Sequence, residues 1–224
     1  MLPPMFQGSF RPALLVSLAA AVTLAGCAKK GELVVGAGGA GITAVRTKCP
    51  AVGVPDYTGD ITLFRQGGQQ YASDIDVTAA LTNLRSTCND TGEKVYTEAT
   101  FDVFARRTDT RGARQVSLPY FVTVLRGGSA VVSKEVGTVV LSFADGQERA
   151  NVSAKAGAYV LAAEATLPQD IREQITRERK AGDPDAALDP LADPTVKAAV
   201  ARATFEMLVG FNLTQQQLAY NATR

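Results

Sequence analysis

The sequence predicts a mainly β fold: an antiparallel β-sandwich of immunoglobulin-like kind carrying a C-terminal α-helical tail. Three observations predict it. Between residues 60 and 161 apolar residues recur at every second position. Turn-forming residues interrupt that alternation at short intervals, and after Leu167 the apolar spacing changes to three and four. Period two sends successive side chains to opposite faces of a strand, whereas a spacing of three and four lines one side of a helix.

The strands follow in order. A first falls at 60–65 and a second at 71–84, where Ile75, Val77, Ala79 and Leu81 alternate with Asp74, Asp76 and Thr78. Over 93–107 the residues Val95, Thr97, Ala99, Phe101, Val103 and Ala105 oppose Glu98, Thr100, Asp102 and Arg106. Strands at 115–126 and 130–143 precede the last run, 147–161. There Ala150, Val152, Ala154, Ala156, Ala158 and Val160 oppose Arg149, Asn151, Ser153 and Lys155. Turn residues stand at 66–69, 89–92 and 109–112, at Gly127 with Gly128, and at Asp145 with Gly146. Such short connections join antiparallel neighbours, and six or seven strands suffice for two packed sheets. No Trp is present to pack on a central disulfide as in true immunoglobulin domains, so a closed barrel is the second architecture. An outer-membrane barrel conflicts with charges carried along the polar faces.

The tail, 166–224, changes punctuation. Pro168 suits a first helical turn, Leu167, Ile171 and Ile175 make a stripe, Glu173 can pair with Arg177, and Gly182 stops the helix. Asp193 caps a second helix with Pro194 as its first residue. Val196, Val200, Ala203 and Met207 then repeat on one face until Gly210. Thr214 and Gln217 have the spacing of a capping box for a short last helix. The tail is expected to pack its stripes on the sandwich. Asp183, Asp185, Asp189 and Asp193 lack the glycine and glutamate of a calcium loop and read as caps and turns.

The amino terminus carries the most specific motif. Arg11 is the only charged side chain before Lys29, and the apolar run at 13–24 is too short to span a bilayer but has the size of a signal peptide core. It ends in Leu24, Ala25, Gly26 and Cys27, which resembles the lipobox of bacterial lipoproteins. The resemblance implies that residues 1–26 are a signal peptide and that the Cys27 thiol takes a diacylglyceryl group. Cys27 then becomes the first mature residue. It implies a partner too, the membrane itself, held through the covalent lipid. Ala28 stands where aspartate commonly signals retention in the inner membrane, which implies an outer-membrane, periplasm-facing location. The body, around 49–64 and 188–224, is similar to uncharacterised envelope lipoproteins of Gram-negative bacteria. That similarity implies a location and no activity.

Residues 27–48 read as a glycine-rich tether, followed by the sandwich domain at 49–165. Gly36, Gly38 and Gly41 spell G-x-G-x-x-G after Leu33, Val34 and Val35. A dinucleotide site needs that turn to open a long helix, and Cys49, Pro50, Gly53 and Pro55 leave no room for one. Of the three cysteines, Cys27 is assigned to lipid. In an oxidising compartment Cys49 and Cys88 are then expected to pair, with two buried thiols as the alternative.

Chemistry is sparsely written. Lys and Arg number 23 against 22 Asp and Glu, a formal charge of +1, which gives no nucleic-acid footprint. Histidine is absent, removing the commonest general base and metal ligand. No S-x-x-K opens a helix, and no carboxylate pair is singled out. Lys29 with Lys30, and Arg106 with Arg107, read as solvated charges. The Asn-x-Ser/Thr triplets at Asn89, Asn151, Asn212 and Asn221 read as chance. The expectation is a non-enzymatic interaction or assembly module with no catalytic residue, metal or cofactor and an envelope protein of unknown identity as partner. The alternatives are an envelope-modifying enzyme and a carrier holding a small apolar ligand between the sheets.

Overall fold

The structure, a computed structural model, describes residues 47–177, 182–185 and 187–223. The signal peptide, Cys27 and nearly all of the tether lie outside the described residues.

Alternation becomes strand wherever a second layer can bury one face. One sheet contains β1 (Ala51–Gly53), β5 (Arg114–Arg126), β6 (Ala130–Phe143) and β8 (Phe205–Phe211), in the order β1-β8-β5-β6. The other contains β2 (Asp60–Phe64), β3 (Ile75–Asn89), β4 (Lys94–Arg107) and β7 (Arg149–Leu161), in the order β2-β3-β4-β7. Neighbours are antiparallel except β1, which runs parallel to β8. Phe101, Leu118, Leu141, Phe143, Met207 and Phe211 meet between the sheets. The inward phase of β4 is the one that the alternation predicts, with Val95, Thr97, Ala99, Phe101, Val103 and Ala105 all buried. Gly137 and Gly157 sit in strand interiors because the rings of Tyr120 and Tyr96 occupy the space that a side chain would need.

Several expectations need correction. The strand expected at 71–84 starts later and runs further, because Ala72–Asp74 forms a 3-10 turn and β3 continues to Asn89. It does so past an irregularity where Asn83 takes φ 51°, a left-handed conformation that asparagine tolerates. The second tail helix, α2 (Pro194–Ala203), stops before Met207, and Phe205–Phe211 is instead β8, inserted between β1 and β5. Phe205, Met207, Val209 and Phe211 are buried while Glu206 and Leu208 are only partly covered, a period of two. The ladder with β5 and burial in the core outweigh the helical spacing of Val196, Val200, Ala203 and Met207. Thus the nominally helical tail contributes a central strand.

The third correction concerns packing of the tail. Helix α1 (Gln169–Thr176) buries Ile171 and Ile175 against Val196 and Ala199 of α2, so the two stripes cover each other and form a satellite core. Glu173 accepts a bond from Gln169, and Arg177 pairs with Asp185 rather than with Glu173. The caps are as read. Asp193 accepts from the backbone N–H of Thr195 at 2.7 Å, and Thr214 and Gln217 bond reciprocally at the start of α3 (Gln215–Thr223). Asn221 is buried there, its amide donating to the carbonyls of Tyr57 and Asp60 at 2.8 Å each, which fixes α3 against β2.

Arg107 is not a solvated charge. Its neighbour Arg106 is exposed and pairs with Glu148, but Arg107, on the inward phase of β4, is 1% exposed. Its guanidinium donates to four backbone carbonyls: Gln147 at 2.7 Å, Gly112 at 2.8 Å, Thr110 at 2.7 Å and Ala144 at 2.8 Å. The ring of Phe143 lies 5.2 Å beneath it. The planar fork of arginine suits this divergent set, whereas the single ammonium of lysine does not.

Removing that fork leaves buried carbonyls without donors, each at a cost of about 1 to 3 kcal/mol. Arg107→Met is therefore expected to lower stability by about 3 to 5 kcal/mol, with Arg107→Lys recovering only part. Urea denaturation of both variants measures it, and a change under about 0.5 kcal/mol would contradict the role assigned to the guanidinium.

Candidate functional site

The predicted cysteines meet. Cys49, just ahead of β1, and Cys88, next to last in β3, form a disulfide with their Cα atoms 6.1 Å apart. β1 and β3 belong to different sheets, so the bond joins the two layers covalently at one end. By strand register the Arg107 clamp lies at the other end, about 33 Å away at ~3.3 Å per residue, since Cys88 stands opposite Thr97. Cys27 lies outside the described residues.

Beside the disulfide is a cavity of about 630 Å³. The connection after β7 forms one wall with Ala165 and Leu167, α1 contributes Ile175, the turn Pro190–Ala192 contributes Leu191, and Phe205 closes the junction of α2 and β8. Four threonines also line it; the hydroxyl of Thr47 accepts from the backbone N–H of Cys49, and those of the other three are engaged with carbonyls four residues back. Thr166 donates to Ala162, Thr176 to Arg172 and Thr204 to Val200, at 2.6, 2.8 and 2.7 Å. Lys48 and Arg172 also line it, and among the described residues no Asp or Glu takes part. The result is an apolar hollow with two cations.

A second concavity, about 750 Å³, is an open trough on the outer face of β2, β3, β4 and β7. Thr78 and Ala80 make its floor, Phe104, Arg106 and Arg149 one flank and Thr62 the other. Thr62 is buried there, and its hydroxyl has no hydrogen-bond partner among the described residues. The space between the sheets, where the carrier alternative would hold its ligand, is occupied by the main core.

Perturbed titrations among the described residues lie away from both hollows. Asp102 is held below the usual carboxylate range by the hydroxyl of Ser153 at 2.6 Å and then by the amide of Asn83 at 2.8 Å. Tyr96 is pushed up by desolvation and by Glu98. Asp109 is held down by its hydrogen bonds from Arg111, whose own value is raised in turn. No trio of His, Cys, Asp or Glu among the described residues is placed to hold a metal ion. Of the aspartates in the tail, Asp189 and Asp193 cap their turns and Asp185 pairs with Arg177. No helix among the described residues is long and apolar enough to cross a membrane.

Sequence reasoning reached the disulfide and missed the hollow beside it. Its walls come from four segments separated in sequence, and the only local signal was the apolar stripe of Leu167, Ile171 and Ile175, of which Leu167 and Ile175 border both the hollow and the satellite core. Set against known proteins, the chain matches no family model, no curated protein and no solved structure.

Closing the loop between Cys49 and Cys88, separated by 39 residues, stabilises the fold by about 4 kcal/mol in the chain-entropy model. A Cys49→Ser, Cys88→Ser double variant is expected to melt about 10 °C lower, by calorimetry. An unchanged midpoint would show that the bond does not constrain the unfolded chain.

Because the folded-state pKa of Asp102 is depressed, its contribution is present above the unfolded value, 3.8, and is lost as pH falls through the lower folded value. Asp102→Asn is expected to be less stable than the native protein at neutral pH, with the two melting curves converging in acid. A gap independent of pH would refute the assignment.

Proposed function

We propose that the chain is the precursor of a bacterial lipoprotein, cut before Cys27, anchored by lipid in the outer membrane and facing the periplasm. Its folded body acts as a non-enzymatic interaction or assembly module. The observation that carries this reading is the Cys49–Cys88 bond. It accounts for two of three cysteines and leaves Cys27, within Leu24-Ala25-Gly26-Cys27, as the odd one. A disulfide fits an exported protein. Acyl chains contribute about 0.8 kcal/mol per buried methylene, so two or more hold a protein firmly.

The module reading draws support from β6. It pairs with β5 along one side, and Val131, Val132, Val136 and Val140 are exposed along its length. An edge strand of that kind offers backbone bonds and apolar contacts to a partner chain. The finer description of the sandwich as immunoglobulin-like belongs to the same proposal and is supported by two facing four-stranded sheets.

The test is metabolic labelling with palmitate in a Gram-negative host. The native chain is expected to take up label and to fractionate with the outer membrane, Cys27→Ala to take up none, and Ala28→Asp to shift towards the inner membrane. Label retained by Cys27→Ala would end the lipoprotein reading.

A further inference from the structure

We infer that the hollow beside the disulfide is a binding site for one long-chain fatty acid, its carboxylate held at Lys48 and Arg172. Three features of the hollow point the same way. Its walls are hydrocarbon, from Leu167, Ile175, Leu191 and Phe205, and the hydroxyls of Thr166, Thr176 and Thr204 donate to backbone carbonyls while that of Thr47 accepts from the Cys49 N–H, so little in the wall asks for a polar ligand. Its only charged lining groups are cations, and neither forms a salt bridge among the described residues. The guanidinium of Arg172 is steadied by donating to the carbonyl of Leu167 at 3.2 Å, which leaves further N–H groups for an anion. An apolar hollow with two cations that pair with no carboxylate among the described residues is complementary to an anion with an apolar tail.

Volume selects among such molecules. A methylene takes up about as much space as a water molecule, ~30 Å³, so a chain of about sixteen carbons needs roughly 500 Å³. One chain fits within 630 Å³, and the two chains of a phospholipid do not. The site is separate from the anchor, because the ligand is bound without a covalent bond and by residues of the folded body. It therefore stands or falls independently of lipid at Cys27.

The test uses the purified full-length chain in phosphatidylcholine vesicles and palmitic acid carrying a photoreactive diazirine on its chain. After irradiation, label is mapped on peptides. Saturable label on the peptides containing Leu167, Ile175 and Phe205, displaced by unlabelled palmitate, is the expected result. A Lys48→Glu, Arg172→Glu double variant is expected to need at least about tenfold more probe, the effect of losing one charge-assisted bond. Thr176→Trp, an exposed position on the lining, is expected to abolish the label while keeping the native melting midpoint, which separates a filled site from a misfolded one. Equal labelling by the corresponding diazirine alcohol would remove the role of the cations, and stronger labelling by a diazirine phosphatidylglycerol would replace the fatty acid by a phospholipid. Label absent from these peptides, or unchanged in both variants, overturns the inference.

Discussion

One buried cation organises the end of the sandwich from which β5 and β7 depart. Arg107 has no carboxylate among its hydrogen-bond partners, so carbonyl dipoles stabilise its charge, and those dipoles belong to the two connections that must be held for the sheets to face each other. Thr110 and Gly112 lie in the crossing from β4 to β5, which changes sheet, and Ala144 and Gln147 lie in the return from β6 to β7, which changes back. Both crossovers therefore converge on a single side chain. A polar group so deep is costly to bury unless it is fully hydrogen-bonded, and here the requirement doubles as a specification of loop geometry.

The order of the strands places a further demand on folding. β8 is the last strand in the chain, yet it occupies an interior place between β1 and β5 and supplies Met207, Val209 and Phe211 to the core. The sheet cannot close around its hydrophobic face until the segment after α2 has arrived. Loop closure over such separations slows folding, and the hairpins β3–β4 and β5–β6 offer the local contacts from which it can begin.

Much of this was legible in the residues. Strict alternation from Val95 to Ala105 and from Ala150 to Val160 marked strands and their buried faces, since only a pleated strand gives that period. The disulfide followed from counting thiols. β8 was not legible because Phe205–Phe211 continues a series spaced by three and four, and only pairing with β5 decides between the two periods. Arg107 was misread although it shares the parity of Phe101, Val103 and Ala105, because a charge at such a position reads as the end of a buried face until its acceptors are seen. Beyond the stripe of Leu167 and Ile175 the hollow was not legible, since distance in sequence conceals Lys48, Arg172 and Phe205 from one another.

The placement of Cys49 has a mechanical meaning. A pull on the chain from its amino-terminal side reaches Cys49 before it reaches β1, a three-residue strand held by a handful of backbone bonds. Without the covalent link such a load would peel β1 from β8 and then open the sheet strand by strand. With it, the force divides at the sulfur atoms and passes into β3, which pairs with β4 from Val77 to Asn89 and with β2 from Ile75 to Ala80, a far longer ladder than that of β1. Tension is thus routed around the weakest element of the fold into one of its strongest.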